Sequence, residues 1–185
     1  QADIVYNCLG SRPNTDIFEA HIPPIGATTI GIEFTNKRNI VVENTLQIRG
    51  GPFQDGSIFA CGDVASPPTG DEKQAFQAEC QGKIAARNVI LLSSASFQKA
   101  KLKAYPQDVM MDGSDQMPLV VDLSLGRFDG MISFNGVCIP GPLAAVVKWI
   151  LEYTKVMQMQ GRPLGKLIWK FGDALTLFLA STVLK

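Results

Sequence analysis

The chain has 185 residues, 46% of them hydrophobic, so it is long enough to bury a core in one large domain or two small ones. Its 17 basic and 17 acidic residues give a net charge of zero, which excludes a global attraction to nucleic acid. The four cysteines form no C-x-x-C pair and His21 is the only histidine, which excludes a zinc site, a Cys-His nucleophile and a disulfide framework. We expect each cysteine to be a small buried apolar residue.

The first segment of the chain, 3–9, is apolar and predicts a strand, with an exit loop over 10–14. Within the loop, Pro13 restricts Arg12 to an extended conformation and fixes the turn. From these residues alone, Arg12 is equally well explained as a functional residue and as an exposed arginine beside a turn. The chain contains no G-x-G-x-x-G fingerprint. Because a strand cannot form a sheet alone, the sheet partners of 3–9 are expected upstream, and we expect a C-terminal part of a longer protein.

The next segment, 16–38, is rich in Pro, Gly and Thr and predicts a loop with a short helical turn at 17–20. Alternating apolar and polar residues over 40–48 predict a half-buried strand. The compact apolar run 57–61 predicts a buried strand of the parallel type.

The 57–61 run ends in Gly62-Asp63. Ligands of open α/β sheets collect beyond the carboxyl ends of the strands, so a glycine that admits close approach, followed by a carboxylate, is a candidate ligand contact. The alternative is that Asp63 is an ordinary turn former or helix cap.

A long helix is predicted over 73–92, with Thr69 or Asp71 capping its start. Its small or apolar residues recur at spacings of three and four and predict a narrow face that approaches a sheet or a flat ring closely. These residues are Ala75, Ala78, Gly82, Ala85, Ala86, Val89 and Ile90. Lys73 falls in the first turn, where it opposes the helix dipole, and on the residues alone it is better explained as an ordinary surface lysine.

The polar segment 93–115 predicts a connector to a second unit, and two strands follow it, 119–125 and 131–134. Asp129-Gly130, between these strands, is a hairpin turn signal. Two amphipathic helices are then predicted, the first starting at Pro142 and the second covering 164–184, with a break at 161–163.

The final apolar run, 174–184, is too short to cross a hydrocarbon core of roughly 30 Å, which needs about 20 apolar residues. Together with Lys166, Trp169 and Lys170 it predicts a helix that lies in the membrane interface. The competing interpretation is a helix that covers the C-terminal domain or a subunit interface.

Three motifs occur in an informative order: Gly-Ser-Arg-Pro-Asn at 10–14, Phe-Ala-Cys-Gly-Asp at 59–63, and the helix that begins at Lys73. This order resembles the flavin-binding half of the pyridine nucleotide-disulfide oxidoreductase superfamily. With Leu-Ser-Leu-Gly-Arg-Phe-Asp-Gly at 123–130, the chain is similar to the apoptosis-inducing-factor-like flavoproteins of the ferroptosis-suppressor type and to type II NADH dehydrogenases. The similarity covers most of 1–150.

The resemblance implies an α/β fold: the C-terminal portion of a Rossmann-like FAD domain, then a smaller α+β C-terminal domain with amphipathic helices. Residues 1–15 would end the NAD(P)H domain and cross over, and 16–95 would complete the FAD domain. Residues 96–141 would form the β-containing domain, and 142–185 would be the amphipathic helices that dock to a membrane or a partner.

The cofactors implied by the resemblance are FAD and NAD(P)H. Asp63 would hold the ribityl chain of FAD, Gly62 would permit its approach, and Lys73 would be the catalytic residue, near the pyrimidine edge of the flavin or the nicotinamide. The cofactor-binding residues implied are Gly10, Arg12, Pro13, Gly62, Asp63, Lys73, Gln74 and Ala75.

The function implied is the passage of electrons from NAD(P)H through FAD to a quinone-type acceptor, with the fragment alone expected to be inactive. The alternatives are a non-catalytic accessory subunit of a larger membrane complex and a nicotinamide-flavin regulatory protein. The partners implied are a quinone and a membrane surface or membrane complex bound through 142–185, with a possible homodimer and no nucleic acid. The expected location is membrane-associated, in a mitochondrion or chloroplast or on a cytoplasmic face.

Overall fold

A computed structural model describes residues 13–19, 31–50, 56–94 and 101–182. The chain divides into two compact units, Gln1–Tyr105 and Pro106–Lys185. Over the described residues it is a mixed α/β protein with two small sheets and three long helices. The strand predicted over 3–9 lies outside the described residues.

The first unit combines short strands with one long helix. Its elements are α1 (Asp16–Glu19), β1 (Ile40–Val41), a 3₁₀ turn (Gly62–Val64), β2 (Ala65–Ser66) and α2 (Ala75–Ser94). β1 and β2 are parallel, with Ile40 opposite Ala65. The largest side chains buried in this unit include Tyr105, Leu46, Ile84 and Val42.

The prediction of one strand over 40–48 is wrong, because the chain reverses direction within this segment. Val42 forms an antiparallel bridge with Ile48 across a turn in which the Leu46 N–H donates to the Glu43 carbonyl at 2.8 Å. Leu46 has a φ of +67° and is fully buried, so its apolar side chain is held in the core by a left-handed backbone. Apolar-polar alternation continues through such a reversal, which is why the pattern did not reveal it.

The prediction of a buried parallel strand over 57–61 is also wrong in the described structure. Phe59 forms an isolated antiparallel bridge with Gln47, and Ile58 is exposed. The Ala60 N–H donates to the Leu46 carbonyl at 3.1 Å. This segment therefore lies along the returning arm of the 40–48 reversal.

The predicted helix over 73–92 exists as α2, but its buried face is not the predicted small-residue face. Ala75, Ala86, Val89 and Ile90 are exposed, and Ala85 is the member of that set that is buried. The buried side of α2 is instead formed by Gln77, Cys80, Gln81, Ile84, Ala85 and Asn88.

Buried polar side chains of α2 are held by hydrogen bonds to surrounding loops. The Asn88 Nδ2 donates to the carbonyls of Thr45 at 3.0 Å and Lys103 at 2.9 Å, and its Oδ1 accepts from the Lys103 N–H at 2.7 Å. Backbone N–H and C=O groups in loops are not paired within a helix or a sheet. A buried amide side chain, which both donates and accepts, can form hydrogen bonds with them instead. Asn88 thereby ties α2 to two chain segments, and 101–105 belongs with the first unit.

The second unit contains a three-stranded antiparallel meander and a helical hairpin. The strands are β3 (Val120–Ser124), β4 (Gly130–Phe134) and β5 (Val137–Pro140), in that order across the sheet. The two predicted strands are confirmed and form a hairpin, and β5 was not predicted. The hairpin loop covers 125–129, where the Leu125 N–H donates to the Asp129 carbonyl at 2.9 Å, so Gly130 begins β4 and is not a turn residue as expected.

The two predicted C-terminal helices are confirmed as α3 (Pro142–Met159) and α4 (Pro163–Thr182). α3 contacts β3, β4 and α4. A Cβ added at Gly165 would lie 2.7 Å from the Met157 carbonyl carbon, so the glycine allows the two helices to approach closely at their connection.

Both helices leave a stripe of apolar side chains exposed, which we call the apolar face. It consists of Leu143, Val146, Trp149, Ile150, Tyr153 and Val156 on α3, and Leu164, Leu167, Ile168, Phe171, Leu175 and Phe178 on α4. On each helix the spacing of three and four residues places these side chains along one side. Among the described helices, none is long and apolar enough to cross a membrane.

Two of the cysteines are not buried as expected. Cys61 and Cys138 are exposed, Cys80 is buried, and all three are free thiols. Cys8 lies outside the described residues. Cys61 immediately precedes the 3₁₀ turn, so it lies at the surface where the apolar run ends.

Candidate functional site

The Gly62-Asp63 pair forms a 3₁₀ turn that contacts the first half of α2. Gly62 has a φ of +76°, which favours glycine, and a Cβ there would lie 3.6 Å from the Ala78 Cβ. The Gly62 N–H donates to Gln81 Oε1 at 2.8 Å. A buried side chain of α2 thus fixes the position of the turn.

Asp63 is held by its backbone while its side chain stays exposed. Its carbonyl accepts a hydrogen bond from the buried Asn39 Nδ2 at 2.7 Å. This bond fixes the main chain without engaging the carboxylate. The arrangement leaves a negatively charged acceptor on a rigid turn, as binding a polyhydroxyl chain would require.

Lys73 lies two residues before α2 and reaches back to β2. Its Nζ donates to the Ala65 carbonyl. Burial lowers the pKa of Lys73, while the nearby carboxylates of Asp63 and Asp71 oppose that shift. Because the helix begins at Ala75, the expectation that Lys73 stands in its first turn is wrong, and a helix-dipole argument does not apply to it.

Asp71 is engaged by a buried tyrosine and does not stand at the start of α2. The Tyr105 hydroxyl donates to Asp71 Oδ2, and the Tyr105 side chain is fully buried. Burial, followed by the Asp71 carboxylate, raises the pKa of Tyr105 well above its usual value, so it remains a proton donor across the physiological range. The expected cap at Asp71 or Thr69 is wrong, because neither residue directly precedes Ala75.

Lys73 and Asp71 line a cavity of about 350 Å³ in the first unit. Its other lining residues are mostly polar: Thr35, Asn36, Lys37, Asn39, Ser66, Pro67 and Gly70. Two lysines, one aspartate and four amide or hydroxyl side chains make the cavity suited to a polar group.

Two buried oxygens before α2 have no hydrogen-bond partner among the described residues. They are Thr69 Oγ1 and Gln74 Oε1. Leaving a buried polar atom unpaired costs about 1 to 3 kcal/mol, so atoms of this kind call for an explanation such as a bound ligand.

The predicted site residues fall into three groups. Gly10 and Arg12 lie outside the described residues, and the Pro13 carbonyl accepts the Thr15 N–H at 3.0 Å in the lead-in to α1. Lys73 is close enough to Asp63 for the two charges to interact.

The remaining predicted residues, Gly62, Gln74 and Ala75, lie on the 3₁₀ turn or at the start of α2. None of these three lines the cavity that contains Lys73.

Asn39 and Gln81, which fix the turn, were not among the predicted site residues. A signal for Gln81 was present, because Gln74, Gln77, Gln81 and Asn88 recur at spacings of three, four and seven, which is a polar stripe at helical period. A search restricted to apolar positions passes over such a stripe. Asn39 carried no comparable signal, since it lies 24 residues from its partner.

No group of three or more His, Cys, Asp or Glu side chains within the described ranges is arranged to hold a metal ion. Comparison with known proteins finds no family model that matches the chain and no curated protein significantly similar to it.

Proposed function

We propose that the chain is the C-terminal part of a flavoprotein oxidoreductase that passes electrons from NAD(P)H through FAD to a quinone-type acceptor. Its first unit would complete a Rossmann-like FAD domain. The proposal rests first on the motif order described above. The single observation that best supports it is the pair of unpartnered buried oxygens, Thr69 Oγ1 and Gln74 Oε1, before α2.

The chemistry of these groups fits a flavin. The isoalloxazine ring carries an N–H donor and carbonyl acceptors, which an amide oxygen and a hydroxyl can pair with. The exposed Asp63 carboxylate is a suitable acceptor for ribityl hydroxyl groups, and Gly62 removes the side chain that would block their approach. When bound, FAD would supply the hydride acceptance and onward electron transfer that protein side chains do not provide.

The roles of the chain are then binding and orientation. Gln74 and Asp63 would bind the cofactor, and Asn39 and Gln81 would hold the Gly62-Asp63 turn rigid against α2. Lys73 would supply positive charge beside the cofactor, held in place by the Ala65 carbonyl. A cation there would stabilise negative charge that develops on reduction.

The second unit would hold the protein at a membrane surface, where quinones reside. The apolar face of α3 and α4 exposes twelve large side chains, which is typical of a surface that binds a membrane or another protein. Residues 142–182, which comprise the two helices and their connection, carry five basic and two acidic residues, a net charge of +3 that favours an anionic membrane surface.

The first test is the visible absorption spectrum and intact mass of the protein as isolated. We expect flavin bands at about one flavin per protein chain. A preparation without flavin that also fails to bind added FAD would contradict the proposal, and would leave the non-catalytic accessory subunit as the better account.

A matched pair of variants tests the site itself. Gln74→Leu removes the unpartnered oxygen before α2, and we expect FAD affinity to fall about tenfold, the equivalent of one lost hydrogen bond of about 1.4 kcal/mol. Gln107→Leu is the control, because Gln107 Oε1 is also buried and unpartnered among the described residues but belongs to the second unit. Equal FAD affinity for both variants, measured by fluorescence titration, would remove Gln74 from the site.

A further inference from the structure

The second unit contains a groove between its hairpin loop and the start of α3. The groove has a volume of about 300 Å³ and is lined by Arg127, Phe128, Pro142, Ala145, Val146 and Trp149. Val146 and Trp149 belong to the apolar face, so the groove opens along the edge of that face. Except for Arg127, every lining side chain is apolar or aromatic.

The hairpin loop is held against α3 by close backbone packing. Gly130 is buried, and a Cβ there would lie 2.8 Å from the Leu123 carbonyl oxygen and 3.1 Å from the Ala145 nitrogen. The Gly141 N–H donates to the Gly130 carbonyl at 2.8 Å. The groove is therefore a built feature of the unit, with the hairpin loop as one wall and α3 as the other.

One cation stands at the rim of the groove. The Arg127 guanidinium lies 5.1 Å above the Phe128 ring, and both residues are exposed, Phe128 by 73%. Arg127 forms no ion pair with any other residue of the described ranges. Its charge is thus available to an external anion at a groove whose other lining side chains are apolar or aromatic.

The start of α3 adds to this preference for an anion. Its N-cap residue is Gly141, which offers no side-chain acceptor, and its first turn contains no acidic residue. The free N–H groups of a helix start carry partial positive charge. Pro142 and Ala145, which line the groove, belong to this same first turn.

Positive charge is also concentrated in the part of the chain that forms α3 and α4. Residues 142–182 carry a net charge of +3, whereas the whole chain is neutral. An apolar face flanked by cations matches the surface of an anionic bilayer, whose lipids offer a phosphate and an acyl chain together. A soluble phosphate would satisfy Arg127 but would leave the apolar part of the groove unfilled.

We propose that this groove binds one anionic phospholipid of the bilayer, with the acyl chain between Phe128 and Trp149 and the headgroup phosphate at Arg127. The inference rests on the membrane association proposed above and adds a lipid class and a binding site to it. The hairpin loop is then a membrane contact in addition to the two helices.

Tryptophan fluorescence tests the site directly, because the chain has two tryptophans and one of them lines the groove. Trp169→Phe leaves Trp149 as the reporter, and the fold should tolerate it because the buried Trp169 Nε1 has no hydrogen-bond partner among the described residues. The protein is mixed with vesicles of one composition, phosphatidylcholine with phosphatidylglycerol, in which bromine is attached to the acyl chains of either lipid.

If the groove binds an anionic lipid, we expect brominated phosphatidylglycerol to quench Trp149 fluorescence more strongly than the mole fraction of phosphatidylglycerol in the bilayer accounts for. Quenching in proportion to composition for both lipids would overturn the groove assignment and leave the membrane association standing. Absence of vesicle binding would overturn both, and the flavin measurements above are unaffected by either result. A stable dimer whose Trp149 is inaccessible to lipid would also overturn it, by showing that a second copy covers the face.

A matched pair of arginine variants separates the site from general charge. Arg162→Gln removes one exposed cation at the far end of α3, about 20 Å or more along the helix from the groove. We expect this control to weaken binding to anionic vesicles about fivefold, the effect of one surface charge worth about 1 kcal/mol. Arg127→Gln should weaken binding at least about twentyfold and abolish the excess quenching by brominated phosphatidylglycerol. Equal effects of the two variants would contradict the proposed headgroup contact.

Discussion

The long helix of the first unit and the helical hairpin of the second distribute their polarity in opposite ways. α2 buries Gln77, Gln81 and Asn88 against its own unit, whereas α3 and α4 expose most of their large apolar side chains. In α2, two of these polar residues bind irregular segments that need hydrogen-bond partners. In α3 and α4, the exposed apolar side chains of the apolar face are not covered by other described residues of the second unit.

The helices of the two units therefore have different roles. α2 organises loops, and its buried amides fix the turn that carries the candidate site. α3 and α4 close their own unit with one side and present the apolar face with another. We expect substitutions of the buried polar residues of α2 to lower the free energy of unfolding strongly. We expect substitutions on the apolar face of α3 and α4 to change it little. This order is the reverse of the usual one, in which apolar substitutions cost the most stability.

The largest expected effect is at Asn88. Asn88→Ala would remove three hydrogen bonds that the buried Asn88 side chain makes to the backbone of Thr45 and Lys103, and we expect the free energy of unfolding of the first unit to fall by about 3 kcal/mol or more. Urea unfolding measures this loss. Arg87→Ala is the control, since Arg87 is the exposed neighbour on the same helix and should change stability by less than about 0.5 kcal/mol. Similar losses for both variants would show that α2 does not depend on its buried amides.

An intermediate effect is expected at Tyr105, with a defined pH dependence. Tyr105→Phe removes the donor to Asp71 and should lower the free energy of unfolding by about 1 to 2 kcal/mol at neutral pH. The pKa of Tyr105 is raised in the folded state, so above the unfolded value of about 10 the unfolded chain loses the proton first. Wild-type stability should therefore fall as the pH rises through and beyond 10, by up to about 1.4 kcal/mol per pH unit.

The Phe variant lacks the titrating hydroxyl, so this slope should be absent from it. Chemical unfolding at a series of pH values checks the comparison. A wild-type stability that stays level above that pH, or an unchanged slope in Tyr105→Phe, would show that burial of the hydroxyl is not what sets its ionisation.

The smallest expected effect on stability is on the apolar face. Phe171 is 70% exposed, so Phe171→Gln should change the free energy of unfolding by less than about 0.5 kcal/mol. The same substitution should weaken vesicle binding about tenfold, because a Phe side chain contributes about 1.5 to 3 kcal/mol when fully buried in an apolar phase and only part of that at an interface. A large stability loss without a change in vesicle binding would mean that the face is part of the core.

Sequence periodicity predicted the second unit well because its elements are local. The stripes of α3 and α4 and the break between Met159 and Pro163 are patterns of near neighbours, and so is the hairpin that joins β3 to β4. Within α2, the existence of the helix was predicted and its buried face was not. Amides such as Gln81 and Asn88 are buried only when distant partners satisfy them, and such partners lie 15 to 43 residues away.

The sequence by itself determined where the long helices lie, the hairpin of the second unit, and the Gly62-Asp63 motif, since each depends on local backbone preference or helical spacing. Only the tertiary structure decided that 40–48 reverses on itself, that Asn39 and Gln81 hold the Gly62-Asp63 turn, and that Arg127 lines an otherwise apolar groove. The reversal is a short turn through which the apolar-polar alternation continues unbroken, and the other features rest on hydrogen bonds and packing between segments far apart in the chain. Their energies depend on which groups are left unpaired by the rest of the fold, and no local pattern records that.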